Sequence, residues 1–153
     1  MTFSNDIFTR IIIFVLGLCG FFVARHIYKH KNNKEAPLVC PIGFDCNFVV
    51  HSDYSEFMHI PLEIFGMGYY VALSLFYLCF IFISEAIPQL LSLIVLLASL
   101  GAFLFSLYLV GVQTFILKKG CSWCIISALI STLIFILTAL NYDFSFILHF
   151  FGK

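Results

Sequence analysis

The chain alternates long apolar stretches with short polar ones, and the charged side chains mark where each stretch ends. Uncharged runs of 14 residues between Arg10 and Arg25, 21 between Glu63 and Glu85, 32 between Glu85 and Lys118, and 23 between Lys119 and Asp143 follow one another. A bilayer core of about 30 Å takes about 20 helical residues at about 1.5 Å each, so the last three runs span outright. The first spans if it takes in Ile7-Phe8 and Ala24 to Tyr28, with Arg10 and Arg25 reaching out to the headgroups. Lipid offers no water to unpaired backbone groups, so each run must be a helix. The pattern predicts an all-α membrane protein, a four-transmembrane-helix bundle, in one domain over residues 1–153. Its helices fall at about 7–28, 60–84, 88–117 and 121–142, with a loop over 29–59 between the first two.

The third run would make a helix of about 48 Å, longer than the membrane. Pro88 suits its first turn, Gly101 and Gly111 permit close packing or bending, and tilt or protrusion absorbs the excess. The first run is expected to stay in the mature protein. Only Arg10 lies ahead of it as a basic side chain, and no small-x-small cleavage site follows. The tail from Asp143 to Lys153 is too short to cross again and reads as an interfacial segment.

Composition agrees. Hydrophobic residues make up 62% and charged residues 10% of 153, far from the balance of a water-soluble domain. Eight basic and eight acidic side chains cancel, which excludes the electrostatic footprint of a nucleic-acid binder.

Polar character collects between His26 and His59. Lys29 to Lys34 reads as a solvated linker, and the alternation of apolar and polar residues after it reads as a segment folded onto the bundle. This is also where half of the chemistry lies. Cys19 and Cys79 sit within apolar helices and read as small hydrophobes. The other four cysteines form two pairs, Cys40 with Cys46 in the loop and Cys121-Ser122-Trp123-Cys124 at the start of the fourth helix. Residues at i and i+3 share a helix face, and a helix N-terminus favours thiolate over thiol. A Cys-x-x-Cys there suits thiol–disulfide exchange. Four cysteines could instead hold zinc, although the five-residue gap in the loop pair is wide for a metal knuckle, or they could form two static structural disulfides.

Taken together, Cys40-Pro-Ile-Gly-Phe-Asp-Cys46, Ser52 six residues later, Ile60-Pro-Leu-Glu-Ile-Phe-Gly66 entering a helix, and Cys121-x-x-Cys124 opening another resemble the vitamin K epoxide reductase family. The likeness is greatest to its bacterial disulfide-forming members and covers about Cys40 to Leu140. The resemblance implies four helices around a quinone of ubiquinone or menaquinone type, capped by the loop. Cys124 would meet the quinone, and Cys121 would be its partner, attacked from the loop. Cys46 would be the shuttle that forms a mixed disulfide with Cys121, and Cys40 would exchange with the outside substrate. Ser52 would be the loop hydroxyl close to the active cysteines.

The chain departs from the family pattern in places. Several bacterial members carry a fused thioredoxin-like domain, whereas this sequence ends at Lys153, so the expected partner is a separate thioredoxin-like (DsbA-like) dithiol protein. A Thr-Tyr-Ala motif of the animal enzymes is replaced by Ser127-Ala128-Leu129, and Leu62 stands where those enzymes have an Asn for the quinone carbonyl. Vitamin K epoxide is therefore not the expected substrate. Epoxide reduction remains the rival enzymatic reading, and a static or zinc-binding membrane protein the rival of another class.

Reduction of a quinone develops charge on oxygen that donors must stabilise. Ser52 is the first candidate, with His51 and Tyr54 as alternates. Glu63, at the mouth of the second helix, is a candidate proton donor if buried, or else a solvated acid favoured by the helix dipole. Phe65 and Trp123 could stack on the ring, though aromatics on membrane helices commonly serve packing or the interface.

Topology carries a conflict. The cysteine face bears Arg25, Lys29, Lys31, Lys34, Lys118 and Lys119, and the opposite face only Arg10 and Lys153. The positive-inside rule turns the cysteines to the cytoplasm. The resemblance and the need for an oxidising compartment turn them to the extracytoplasmic side of a bacterial plasma membrane, which is the orientation expected here.

Overall fold

The computed structural model describes residues 3–33, 35–36, 38–41, 43–83, 88–142, 148–149 and 151–152, with side chains from residue 7 onward. Among the described residues, four helices are long and apolar enough to cross a membrane: Ile7–Asn32, Leu62–Phe82, Gln89–Ile116 and Ser122–Asn141. The first belongs to α1 (Phe3–Asn32), the second is α3 (Leu62–Phe82), the third is α4 (Gln89–Gly111) with a π-helical turn at Val112–Ile116, and the fourth is α5 (Ser122–Asn141). A short helix, α2 (Cys46–Val50), lies in the loop after α1. The chain is an all-α, multi-pass membrane protein.

Helix α1 packs mainly on α3 and then on α5, while α4 packs on α5. Small residues allow the first contact: a Cβ on Gly17 would strike Ser74, and one on Gly20 would strike the Tyr70 ring. A Cβ on Gly101 or Gly111 would meet nothing, so these two serve no close approach. The core of the bundle gathers Ile13, Ala24, Tyr70, Leu73, Tyr77, Ile130 and Ile134. Arg10 does not reach outward. Its Nη1–H donates to the Phe80 carbonyl at 3.0 Å, capping the last turn of α3.

The loop departs most from expectation. α1 runs past Tyr28 to Asn32, so the stretch read as a solvated linker is largely helical, and its Lys31 is enclosed rather than solvated. α2 buries Cys46, Val49 and Val50, spaced as on a helix face rather than alternating. A 3-10 turn at Asp53–Ser55 leads into an antiparallel ribbon of Glu56–Phe57 against Ile60–Pro61. Met58 and His59 turn it with φ of 51° and 66°, the positive values a two-residue hairpin turn requires. This ribbon moves the start of the second span from residue 60 to Leu62. The third span does not continue as α-helix to residue 117, because its last turn widens into the π form. The far end expected for the second span (residue 84) and most of the tail after Tyr142 lie outside the described residues.

Candidate functional site

The start of α5 is built around its cysteines. Lys118, at a φ of 51°, breaks the chain out of the π turn, and Cys121 takes extended geometry as the N-cap of α5. Its sulfur accepts the Cys124 backbone N–H at 3.4 Å, as a capping side chain does. Cys121 is fully buried, at 0% exposure. Hydrogen bonding from Cys124 pulls its thiol below the ordinary value, overcoming the opposite effect of burial. The thiolate forms more readily here than in a free cysteine.

The loop pair docks directly on it. Cys40 and Cys46 form a disulfide with their Cα atoms 5.8 Å apart. The sulfurs of Cys40, Cys46 and Cys121 lie within 4.8 Å of one another. With two of the three joined, the group offers one free sulfur rather than a metal-ligand set. The Ser122 N–H at the helix start also donates to the Cys40 sulfur at 3.4 Å. Around this junction, Lys119 pairs with Asp45 at 2.6 Å, and that ammonium holds the exposed Asp45 carboxyl below the usual carboxylate range. Trp123 Nε1–H donates to the Val39 carbonyl at 3.4 Å. Gly120 leaves room for the Phe44 ring, which an added Cβ would crowd. Ile27, Leu38, Val49 and Val50 complete an apolar jacket around the sulfurs. Cys40 is 9% exposed and Cys46 1%, so the outer face of the disulfide is the Cys40 side.

Beneath the loop lies a cavity of about 520 Å³, bordered by all four spans and by the loop, into which Cys124 opens. Its wall is mostly apolar, with Leu62, Phe65, Val112 and Leu117 among the lining residues. Size and character match a site for a flat organic ligand. The two cysteine pairs thus have different neighbours: the loop and Cys121 for the buried Cys40–Cys46 disulfide, the cavity for Cys124.

The remaining sequence candidates divide. Ser52, Tyr54, Glu63 and Phe65 all line the cavity. The Ser52 hydroxyl, however, donates to the Val49 carbonyl at 2.7 Å, closing the end of α2. His51 is not among the lining residues. Its ring nitrogens sit 2.8 Å from the Asn47 carbonyl and 3.2 Å from that of Lys31. Trp123 is also absent from the lining and packs on His26, ring centroids 4.6 Å apart. Glu63 is no solvated acid. Its side chain is 10% exposed and meets Lys31 Nζ at 3.5 Å. Lys31 also donates to Ser55 Oγ at 3.0 Å, tying the end of α1, the loop and α3 together. Cys19 and Cys79 are free and lie on the outer surface of the spans.

Sequence reasoning missed three residues here. Lys31 was hidden in a run of charges that looks solvated. Tyr70 looks like one more apolar-helix aromatic, yet its hydroxyl bonds Ser127 Oγ at 3.0 Å and Ser131 Oγ at 2.9 Å on the cavity wall. Gln113 sits in the π turn, lines the cavity, and leaves its buried Nε2 without a hydrogen-bond partner among the described residues. Such a buried donor costs about 1–3 kcal/mol when unpaired, and π turns inside helices recur at functional sites. The signal available was an amide within an uncharged run of 32 residues.

A four-span bundle that sets a free dithiol between a docked disulfide and an apolar cavity defines a membrane protein equipped for thiol redox chemistry. Residues 11–139 match the vitamin K epoxide reductase family, and the chain belongs to it. No curated protein matches the sequence individually. The family comprises membrane oxidoreductases that work on thiols, disulfides and quinones. The cavity fits a quinone ring on three counts: its volume, its apolar wall, and a Gln113 Nε2 without a hydrogen-bond partner among the described residues, on a wall that also holds Cys124 and Glu63.

Proposed function

We propose that the protein makes disulfides in a separate thioredoxin-like (DsbA-like) dithiol protein and passes the electrons to a quinone of ubiquinone or menaquinone type. It works in a bacterial plasma membrane with its cysteines on the extracytoplasmic face. The observation that carries this reading is the clustering of the Cys40, Cys46 and Cys121 sulfurs within 4.8 Å, with Cys121 bonded to the backbone of Cys124, which lines the cavity.

The exchange begins when a partner thiolate attacks the Cys40–Cys46 disulfide at Cys40, the less buried residue of the two. The partner's second thiolate resolves that mixed disulfide, leaving an oxidised partner and a Cys40/Cys46 dithiol. The Cys46 thiolate then attacks Cys121 of an oxidised Cys121–Cys124 pair and expels the Cys124 thiolate. Cys40 attacks Cys46 of this second mixed disulfide and expels Cys121. A thiol of lower pKa leaves faster, so the depressed value at Cys121 favours this last step. Each exchange moves two electrons as a pair and neither makes nor consumes net electrons.

When bound, a quinone supplies a two-electron acceptor at the Cys124 sulfur. Returning Cys121 and Cys124 to the disulfide delivers two electrons, and formation of the hydroquinone takes up two protons. If Cys121 stands as thiolate, the pair itself supplies one proton. The second comes from Glu63, whose carboxyl lines the cavity and takes a proton from the Lys31 ammonium that it faces before passing it on. Phe65 on the cavity wall offers a face to the ring, and Ser52 or Tyr54 can reach a carbonyl oxygen, Ser52 only by giving up its bond to Val49. A two-electron couple gains about 1.4 kcal/mol per 30 mV, so an acceptor tens of millivolts more oxidising drives the sequence. Leu62 puts an apolar wall where the animal enzymes carry a carbonyl donor, which favours this reading over epoxide reduction.

The test is reconstitution of the purified protein with a reduced thioredoxin-like dithiol protein and a short-chain ubiquinone. Oxidation of the dithiol should match quinone consumption one for one and stop in Cys124→Ala. Turnover of the dithiol in Cys124→Ala at the original rate would sink the electron path.

A further inference from the structure

We infer that Gln113 is the hydrogen-bond donor that holds a quinone carbonyl in the cavity. This rests on the proposed function and adds the residue that fixes the acceptor in place. The hydroxyls of Tyr70, Tyr69 and Ser52 are already engaged, and Glu63, whose Oε2 has no hydrogen bond among the described residues, is as a carboxylate an acceptor and not a donor. Tyr70 bonds Ser127 and Ser131, Tyr69 donates to Ser99 at 3.2 Å, Ser52 donates to Val49, and Glu63 faces Lys31. Gln113 is 2% exposed and its Nε2 has no protein partner among the described residues.

The backbone around Gln113 accounts for its position. The π turn is closed by Leu117 N–H to the Val112 carbonyl at 3.0 Å, a bond five residues long instead of four. Thr114 Oγ1–H fastens the outer side of the same turn to the carbonyls of Val110 and Gly111, at 2.8 and 3.1 Å. The Gln113 carbonyl takes the Lys119 N–H at 3.1 Å, joining the turn to the segment that enters Cys121. The extra residue puts Val112 and Gln113 inside while Thr114 and Phe115 stay exposed. The terminal torsion of a glutamine is soft, so the carboxamide can swing its N–H to a carbonyl oxygen in the cavity. A neutral amide there stabilises charge developing on that oxygen without bringing a proton of its own.

Two readouts test the inference without relying on turnover. The only glutamines in the chain are Gln89 and Gln113, so isotope-labelled glutamine gives two side-chain amide signals in an NMR spectrum of the full chain in nanodiscs. Titration with a one-isoprene ubiquinone should move the Gln113 signal and leave that of Gln89 in place. In infrared difference spectra, the carbonyl band of the bound quinone should lie below that of quinone in lipid. In Gln113→Met, close in size and without a donor, that band should return to the lipid position and the quinone should bind about 2- to 10-fold more weakly. Should that variant fail to fold, the NMR titration of the unaltered chain decides alone. A quinone that binds while the Gln113 signal stays still, or binds Gln113→Met as it does the parent, overturns the inference and leaves the proposed function standing. A parent chain that binds no quinone overturns both.

Discussion

Lys31 of α1 and Glu63 of α3 face each other at 3.5 Å beneath the loop, with 7% and 10% of their side chains exposed. A pair so enclosed is held in place because each charge would be expensive alone. Removing one partner strands the other, at a cost of up to about 3–5 kcal/mol, whereas removing both with apolar residues of similar size costs far less. Lys31→Met and Glu63→Leu should each lower the thermal midpoint markedly, and the double variant should recover most of the loss. If Glu63 also delivers a proton to the quinone, the double variant should stay folded and reduce quinone slowly. Equal losses that simply add in the double variant would mean the two side chains act independently.

The convergence of the Cys40, Cys46 and Cys121 sulfurs yields a second prediction. In Cys40→Ala the Cys46 thiol keeps its place at the start of α2 but loses the partner that would release it from Cys121. Oxidation should then trap a Cys46–Cys121 disulfide, visible as a mobility shift on a non-reducing gel and as a cross-linked peptide by mass spectrometry. Cys46→Ala should trap far less, because Cys40 is the less buried residue of the loop pair. The reverse yield would exchange the roles of the two loop cysteines.

Cys121 gives a pH signature. Hydrogen bonding from Cys124 lowers its pKa in the folded chain, so between that value and the ordinary thiol value of the unfolded chain, the folded form binds fewer protons. Stability from this group therefore rises with pH across that window, is complete above the unfolded thiol pKa, and is lost as pH falls through the folded value. In Cys40→Ala/Cys46→Ala, the ultraviolet thiolate absorbance should appear at lower pH than for a free cysteine. Adding Cys124→Ala removes the hydrogen-bonding thiol and should move that midpoint upward. A midpoint unmoved by Cys124→Ala would place the cause elsewhere.

What could be read in the sequence, and what could not, follows from the range of the interactions. Charges bounding apolar runs are local, so the four spans are legible, and so is the Cys121–Cys124 pair, because an i, i+3 spacing at a helix start is itself a geometry. The loop was harder. Lys29 to Lys34 looks solvated because nothing nearby in the sequence shows that Glu63, some thirty residues on, waits for Lys31. Gly101 and Gly111 look like packing glycines, but Gly17 and Gly20 do that work, since only the fold sets Ser74 and Tyr70 against them. The π turn that brings Gln113 inward cannot be read from the pattern, in which Gln113-Thr114 is only a short polar break before Phe115 to Leu117. Ser52 and Phe65 do reach the cavity wall, but the bond from Ser52 to Val49 depends on the end of a five-residue helix that periodicity could not resolve.

Orientation is the last prediction. By count of basic residues the cysteine face should be cytoplasmic, six against two. Lys31 belongs to neither side in the sense the rule requires, for it is enclosed by Glu63 and Ser55 within the fold. A cytoplasm kept reducing would hold Cys40 and Cys46 as thiols and leave the chain nothing to pass on, whereas an oxidising compartment sustains the loop disulfide. The expected outcome is extracytoplasmic. Val39 is well exposed beside the loop disulfide. Val39→Cys in a background lacking the six native cysteines should react with a membrane-impermeant maleimide on intact cells. Phe8→Cys, at the other end of α1, should react only after the membrane is opened. The opposite pattern would make the protein an inverted member acting on cytosolic thiols, with the same sulfur chemistry but a different partner.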